Sequence, residues 1–371
     1  MTSRRTPHFV ALAVALAMGS STTHPGTVHA TVYNVTNTAQ LVAAITAANA
    51  NPGPDVINLA PGTYTPASFM VTDDLTINGG ARPGTILDGT SSPFAYAGVD
   101  VEGGPTVNLH VTVNNLTIQN FNIGVYSYNG PTGLVTVNGC TITGSANVSG
   151  IGVDAGPAAI LNSTITGNLV GVNVGNEGDP GDPITLDNDT IVWNTANGLA
   201  MNQVAISVSN TIIAKNNTAG YYKDCSSTIV TGGGGGYTCS SDHNIDGDGS
   251  GGAGFTTTDP LLGPLADNGG PTQTFALTAT SPAIDAGGTN CQPTDQRGVT
   301  RPQGTASDIG SFERTPFPFQ SVSQLLPPGG TITTDIINTG PTPSDPLITS
   351  VTAPGGSGIT IEQGPGAGYM G

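Results

Sequence analysis

Positive charge is scarce in this sequence. Among 371 residues, 8 are Lys or Arg and 25 are Asp or Glu, which gives a formal net charge of −17. A surface this acidic repels nucleic acids, anionic lipids and polyanionic glycans. The composition therefore weighs against a nucleic-acid partner, and against a lyase for acidic polysaccharides unless calcium mediates the contact.

Long apolar runs are equally scarce. The clearest is Phe9–Met18, which follows Arg4 and Arg5 and precedes the small-x-small sequence Val28-His29-Ala30. This arrangement predicts a signal peptide over residues 1–30. A membrane-spanning helix needs about 20 apolar residues, so the sequence predicts no transmembrane segment in the mature chain. We expect an extracellular or cell-surface protein.

Cysteine is rare as well. The chain has four cysteines, and none of them shows the Cys-x-x-Cys spacing of a metal or redox site. Cys225 and Cys239 flank a Gly-rich loop, and export permits disulfides, so we predict that these two residues form one. Cys140 falls in a repeated strand position and is expected to be a small buried residue.

Glycine and proline, in contrast, are plentiful, with 54 Gly and 28 Pro. Such a composition can indicate disorder. Here, however, 36% of the residues are hydrophobic, and many form short runs of Val, Ile, Leu and Thr. This combination favours a folded all-β chain with many turns.

A repeat runs through the middle of the chain. Each unit has an aliphatic residue five positions before an Ile, and the Ile recurs at intervals of 24, 23, 26 and 22 residues. A second short strand beginning with Gly follows each unit. This period, without a helix inside the unit, predicts an all-β, right-handed parallel β-helix, a type of solenoid. The five units are Val113–Ile118, Val137–Ile142, Ile160–Ile165, Leu186–Ile191 and Val208–Ile213.

Aligned units give columns of equivalent residues. The aliphatic and Ile columns are predicted to form the core, and the position before the Ile is usually Thr. Three positions before the Ile, the residue is Asn or Gly, which both tolerate a positive φ, so this column predicts a turn. Its stacked Asn side chains are expected to hydrogen-bond from turn to turn. The turn column contains Asn115, Gly139, Asn162, Asn188 and Asn210.

The ends of a solenoid need covers, because they expose unpaired strand edges. Thr38–Ala50 has the spacing of an amphipathic helix and is predicted to be an N-terminal capping helix. Residues 225–313 lose the period, and we expect a loop-rich C-terminal cap there. The β-helix domain is thus placed at 31–314. The Pro-, Gly- and Thr-rich residues 315–371 are either the start of a β-sandwich or a tail.

Several motifs carry a family resemblance. They are DPLLGPLADNGGPT at 259–272, SPAIDAG at 281–287, DQRG at 295–298, RP at 301–302 and DIGSFE at 308–313. Together these motifs resemble the choice-of-anchor Q module of secreted bacterial parallel β-helix proteins, with the module at about 225–313. The resemblance implies a secreted or surface-displayed β-helix. It implies no enzyme activity and supplies no catalytic residues.

Four residues follow the hydrophobic residue of the second strand and are predicted to share one outward face. Aromatic rings and amides on such a face bind neutral sugars; the alternative is an ordinary solvent-exposed face. No column of the five units stacks two acids, so the repeat gives no carboxylate pair for glycoside hydrolysis. The candidate ligand-binding residues are Tyr126, Asp154, Asn173 and Tyr222.

Asn244, Asp246 and Asp248 resemble the opening of an EF-hand calcium loop. The twelfth position of that loop is Phe255, where such a loop requires a bidentate Glu. The sequence therefore predicts no cofactor, with calcium at these three residues as the alternative.

Two functional hypotheses follow. The first is a secreted or cell-surface structural or adhesion-type β-helix without a defined catalytic activity, whose ligands are neutral glycans or other cell-surface components. The alternative is an extracellular carbohydrate-active enzyme, a polysaccharide hydrolase or lyase, on the same scaffold. We favour the first, because no Ser/His/Asp arrangement or metal-ligand spacing accompanies the repeat.

Overall fold

In the computed structural model of the chain, the described residues are 30–66, 69–90, 96–145, 147–175, 183–201, 206–216, 224–227, 239–251 and 254–315. The predicted signal peptide, apart from Ala30, and the predicted C-terminal tail, apart from Thr315, lie outside these residues. Among the described residues, no helix has the length and apolar character needed to cross a membrane.

Three parallel sheets, which we call A, B and C, run along the molecule. The chain visits them in the order A, B, C and then returns to A one strand further along, so consecutive strands of a sheet come from consecutive turns. The described residues contain seven such complete turns. The predicted parallel β-helix is confirmed.

The strands of each sheet are short. Sheet A contains Val32–Val35, Asp55–Leu59, Leu75–Asn78, His110–Asn114, Leu134–Asn138, Ala158–Leu161, Ile184–Asp187, Ile206–Ser209 and Cys239–Asp242. Sheet B contains Gly62–Tyr64, Thr85–Asp88, Leu116–Gln119, Thr141–Thr143, Thr164–Thr166, Thr190–Val192, Ile212–Ala214, Asn244–Asp246 and Phe255–Thr257. Sheet C contains Met70–Val71, Ala97–Glu102, Ile123–Tyr128, Ser149–Ala155, Val170–Val174, Leu199–Met201 and Cys225–Ser227. A short 3-10 helix spans Gly104–Thr106, and an antiparallel pair joins Leu262–Ala266 to Thr274–Leu277.

The core lies inside the three sheets. Side chains alternate between inward and outward along a strand, so one column of each sheet faces the interior. The aliphatic column of sheet A and the Ile column of sheet B are both inward, and each of their residues in the five repeats is at most 1% exposed. Burying one such side chain contributes roughly 1.5–3 kcal/mol, which makes the stacked aliphatic residues the main source of stability.

The turn between sheets A and B matches the prediction. Asn115, Gly139, Asn162, Asn188 and Asn210 all have φ between 47° and 66°. The predicted ladder of hydrogen-bonded asparagine side chains, however, does not form in this turn column. Asn188 and Asn210 instead accept hydrogen bonds from the backbone N–H groups of Gln292 and Gly288.

A different asparagine column forms a buried ladder, which we call the asparagine ladder. It lies three positions after the Ile and consists of Asn168, Asn194 and Asn216. Asn168 Nδ2 donates to Asn194 Oδ1 over 3.1 Å, and Asn194 Nδ2 donates to Asn216 Oδ1 over 2.9 Å. Asn216 Nδ2 in turn donates to Asp224 Oδ1 over 2.9 Å. The ladder pairs polar groups that would otherwise be buried without partners.

The N-terminal capping helix is confirmed, with bounds Thr38–Ala48. Asn37 is its N-cap, and its side-chain oxygen accepts a hydrogen bond from the N–H of Gln40 over 3.0 Å. The buried face consists of Leu41, Ala44, Ile45 and Ala48. Val42 lies outside this face and is 46% exposed.

The C-terminal segment, residues 260–315, does not lie over the end of the solenoid as predicted. It runs along the outer face of sheet B. Thr141 Oγ1 donates to the carbonyl of Gln273, and Thr164 Oγ1 donates to Gln296 Oε1, each over 2.6 Å. An ion pair between Arg82 and Asp267 ties the segment to an early turn.

Apolar contacts hold the same segment. Phe275, Ile309 and Phe312 pack against Val192 and Ile212 of sheet B. The repeat disappears here because the chain follows the rod lengthwise instead of winding around it. Residues 225–227, 239–246 and 255–257, which were also assigned to the cap, add further strands to the sheets.

Candidate functional site

The outer face of sheet C brings two predicted ligand-binding residues together. Tyr126 lies between Asp100 and Gly152 in the parallel register of neighbouring strands. Its hydroxyl donates a hydrogen bond to Asp154 Oδ2 over 2.8 Å.

The tyrosine rings at this face differ in exposure. Tyr126 was expected to present its ring outward, but it is only 9% exposed. Tyr96 packs edge-on against it, with ring centroids 5.3 Å apart, and is 41% exposed. Tyr96, which the repeat did not indicate, is therefore the more exposed ring of the pair, and Tyr126 packs against it.

Three acids accompany the tyrosines: Asp100, Glu102 and Asp154. We call these three residues with Tyr96 and Tyr126 the sheet C site. Asp100 and Glu102 are two positions apart on one strand, so their side chains lie on the same face, about 7 Å apart at the backbone. Asp154 lies two strands further along the sheet.

The electrostatics of Asp100 are unusual. The residue is 8% exposed, and its Oδ1 atom is buried with no hydrogen-bond partner among the described residues. Burial, reinforced by the charge of Glu102, raises the pKa of Asp100 to about 7. Asp100 thus holds a proton near neutral pH, as a general acid must.

The pKa values of Glu102 and Tyr126 are raised as well. Burial and the charge of Asp154 raise the pKa of Glu102. Burial also raises the pKa of Tyr126, and its hydrogen bond to Asp154 adds to this effect, so its hydroxyl stays a donor. Groups with perturbed pKa values on one open face are typical of functional sites.

The repeat could not reveal this acid cluster, for two reasons. The first of the five repeat units begins at Val113, whereas Asp100 and Glu102 belong to an earlier, less regular turn. In addition, the register shifts by one residue between Ser127 and Tyr128, so Tyr128 pairs with Ala155. Counting along the repeat places Asp154 in the column of Tyr126, but the register pairs Tyr126 with Gly152, and Asp154 lies two residues further on, at the bulge.

The two remaining predicted ligand-binding residues are Asn173 and Tyr222. Asn173 lies in the same column, opposite Gly152 and Ala200, and is half-buried. Tyr222 lies outside the described residues. Both residues therefore stay predictions as ligand contacts.

A second group of acids lies in the last turns of the solenoid. One carboxylate oxygen each from Asp224, Asp246 and Asp248 lies within 4.8 Å of the others. Asn244, which was expected among the ligands, forms hydrogen bonds to the backbone of the preceding turn instead. Its side chain accepts a hydrogen bond from Thr211 N and donates to the carbonyl of Val208, each over 2.8 Å.

The pKa values of these three aspartates reflect their burial and their closeness to one another. Burial, with smaller contributions from Asp248 and Asp246, raises the pKa of Asp224 to about 6. Burial also raises the pKa of Asp246, whereas hydrogen bonds from Ser250 outweigh burial and lower that of Asp248. Calcium at Asn244, Asp246 and Asp248 stays a prediction.

The motifs that resemble the choice-of-anchor Q module form a buried polar network. Arg301 and Glu313 make an ion pair of 2.8 Å, with side chains 1% and 0% exposed. Arg297 is paired with Asp295, and its guanidinium lies 3.6 Å from the centre of the Phe312 ring. These charged residues hold the C-terminal segment together, because each buried charge has a partner.

The predicted disulfide would join Cys225 and Cys239. Cys225 lies in a strand of sheet C and Cys239 in a strand of sheet A. The side chain of Cys239 lies outside the description, so the bond stays a prediction. Cys140 is buried as expected, which raises the pKa of its thiol to about 12 and makes it unreactive.

An open concavity of about 460 Å³ lies between sheet B and the C-terminal segment. Trp193, Leu262, Pro264 and Phe275 line it, and the Trp193 and Phe275 rings are 4.7 Å apart. Its lining contains no acid, base or cysteine. This concavity offers apolar contact but no acid–base chemistry.

Comparisons with known proteins add little to this geometry. No protein-family model matches the chain, and no curated protein matches it. Among solved structures, the crystal structure of pectate lyase Pel9A is similar over 77% of this chain and 96% of that chain, with a TM-score of 0.35 and 16% identity. That likeness is too weak to carry a functional argument. The choice-of-anchor Q resemblance stays a prediction.

Proposed function

We propose that this chain is a secreted or cell-surface β-helix of the structural or adhesion type that binds neutral glycans on the outer face of sheet C. The observation that carries the proposal is the sheet C site. There the exposed Tyr96 ring is braced by Tyr126, which in turn bonds Asp154.

The chemistry of the site suits sugars. A pyranose presents a face of C–H groups that packs on an aromatic ring, and its hydroxyls donate to carboxylate oxygens. Ligand sites commonly combine such apolar surface with a few fixed polar groups. The neutral class is favoured because the chain carries a formal charge of −17 and acids line the site, so an acidic glycan is repelled.

Location is part of the proposal. The predicted signal peptide over residues 1–30 supports export, and the choice-of-anchor Q resemblance of 225–313 supports display at the cell surface. A rod of stacked turns presents its faces along its length, which suits contact with an extended polymer.

Affinity measurements on immobilised neutral polysaccharides test the proposal. Tyr96→Ala removes the exposed ring, and loss of one aromatic contact worth about 1–2 kcal/mol weakens binding by roughly 5- to 30-fold. Leu134→Ala is the control, since Leu134 is a large exposed side chain on sheet A. Binding that Tyr96→Ala leaves unchanged would contradict the assignment.

A carbohydrate-active enzyme on the same scaffold is the second candidate. One observation favours it: burial and the neighbouring Glu102 raise the pKa of Asp100 to about 7, so this acid holds a proton near neutral pH. A surface that only binds sugar does not need a protonated buried acid.

A further inference from the structure

We propose that the outer face of sheet A binds ice. The proposal goes beyond glycan binding, because it concerns a different face of the rod and a different ligand, crystalline water. It rests on six side chains that repeat in register over three successive turns, which we call the sheet A array. The array consists of Thr76, Thr112, Thr136, Asn78, Asn114 and Asn138.

The array is a regular grid. Thr76, Thr112 and Thr136 are direct neighbours in the parallel register, and so are the three asparagines, which lie two residues further along each strand. Neighbouring strands lie about 4.8 Å apart, and residues two positions apart on a strand are separated by about 6.6 Å. Water oxygens repeat at comparable distances along two perpendicular axes of hexagonal ice. A water molecule held at each grid point therefore lies close to a lattice position of ice.

Hydrogen bonds between the asparagines fix the grid. Asn78 Nδ2 donates to Asn58 Oδ1, and Asn114 Nδ2 donates to Asn78 Oδ1, each over 3.0 Å. The row continues in both directions, because Asn138 donates to Asn114 and Asn58 donates to Asn34. Side-chain ladders of this kind stabilise flat sheets of many strands. Each amide inside the row keeps one N–H group and one oxygen lone pair for water.

The threonine hydroxyls are available to the same layer of water. In the described part of the chain, the hydroxyls of Thr76, Thr112 and Thr136 have no hydrogen-bond partner, and the three residues are half-buried. Threonine is branched at Cβ and therefore stiff, so its methyl and hydroxyl groups hold fixed positions. The groups that hold the water are thus ordered before they meet ice, which lowers the cost of binding.

The chemistry of the array favours ice over other flat ligands. Its six side chains carry no charge, although the chain has a formal net charge of −17, and they include no aromatic ring to pack on a sugar. The cores of protein interfaces are likewise enriched in aromatic residues and arginine. What the array offers instead is a set of small polar groups, each of the size that holds a single water molecule.

The extent of the array sets the strength expected of it. The grid ends where Ala159 and Leu161 take the places of threonine and asparagine. The C-terminal segment lies over sheet B, and its bond from Gln292 to Asp187 on sheet A is two turns beyond Asn138. A grid of three turns should give moderate activity, for which inhibition of ice recrystallisation is a sensitive measure.

The experiment uses the purified chain and measures thermal hysteresis, inhibition of ice recrystallisation and the fraction of protein that a growing ice front takes up. T112Y places a large ring in the middle of the grid. Contacts in an array act together and are lost when the geometry forbids simultaneous engagement, so T112Y should lower each activity by about tenfold or more. An unchanged chain that ice excludes, and that shows no thermal hysteresis, would overturn the proposal.

Two further variants make the test specific. T76Y repeats the substitution one turn away and should have the same effect, which keeps the test valid if T112Y does not fold. T256Y makes the same change at an exposed strand position on sheet B, and because distant sites act independently it should keep the activity within about twofold. Thermal melting of each variant shows whether it is folded.

The outcomes decide which ligand this face takes. Full ice activity in folded T76Y or T112Y would contradict the assignment to sheet A, as would an equal loss in T256Y. Adsorption to insoluble cellulose or chitin that T112Y abolishes, without any ice activity, would make the array a polysaccharide-binding face and overturn the proposal. Ice activity that both array variants lose and T256Y keeps supports it.

Discussion

A buried carboxyl oxygen without a hydrogen-bond partner is costly, and among the described residues Asp100 Oδ1 has none. The protein keeps it neutral rather than paired, since burial raises its pKa from 3.8 to about 7. The charge of Glu102, on the same strand, adds to this rise, and Tyr126 lies opposite Asp100 on the next strand. This acid is the residue-scale feature with the clearest consequence for pH.

Stability should fall as pH rises from about 4 to about 7. In this window the folded chain holds the Asp100 proton and the unfolded chain has lost it, so each rise in pH favours unfolding. The contribution is on the order of 2–4 kcal/mol. Melting temperatures across this range should show the decline, and D100N should flatten it.

Part of the decline of stability with rising pH will remain in the D100N variant. Asp224 and Asp308 have pKa values raised to about 6, mainly by burial, and act in the same direction. The pKa of Asp88 is lowered to about 2, so its titration changes the stability only below this pH range. A D100N slope as steep as that of the unchanged chain would contradict the assignment of a protonated Asp100.

At the scale of elements, the asparagine ladder links successive turns through side chains as well as backbone. Asn194 is fully buried and bonds both Asn168 and Asn216. The ladder ends at Asp224, one of the acids of the second cluster. Local polar contacts thus join the middle turns to the last ones.

Asn194→Ala should lower the free energy of unfolding by about 2–4 kcal/mol, because it leaves buried amide groups unpaired on both sides. Asn34→Ala is the matched control. Asn34 is exposed and accepts one bond from Asn58 on the outside of sheet A, so its loss should cost less than about 0.5 kcal/mol. Denaturant unfolding of both variants measures the difference, and equal losses would contradict the role of the ladder.

The elements that sequence could predict are those that every repeat encodes. The aliphatic and Ile columns recur in all five units, and the turn column needs residues that tolerate a positive φ, such as Asn115 and Gly139. The asparagine ladder occupies only the last three units, so it could not be distinguished from an ordinary polar column. The sheet C site depends on Asp100, in an irregular turn, and on a bulge that spacing cannot reveal.

At the scale of the whole molecule, the three outer faces differ. Sheet A carries a row of hydrogen-bonded asparagines, such as Asn58 and Asn78. Sheet B is covered by the C-terminal segment. Among the described residues, sheet C is the face that combines an exposed tyrosine with acids of perturbed pKa. The C-terminal segment bonds the repeated threonines Thr141, Thr164 and Thr190 of sheet B. Its lengthwise path was not predictable, because the residues of the segment itself follow no repeat.

The central claim is that sheet C is the face that meets sugar, and a crystal structure with a bound neutral oligosaccharide tests it most directly. The oligosaccharide should be one that the affinity measurements identify. The account predicts a sugar ring on Tyr96, with its hydroxyls close to the acids of the sheet C site. A sugar bound in the Trp193 concavity with sheet C empty would contradict it.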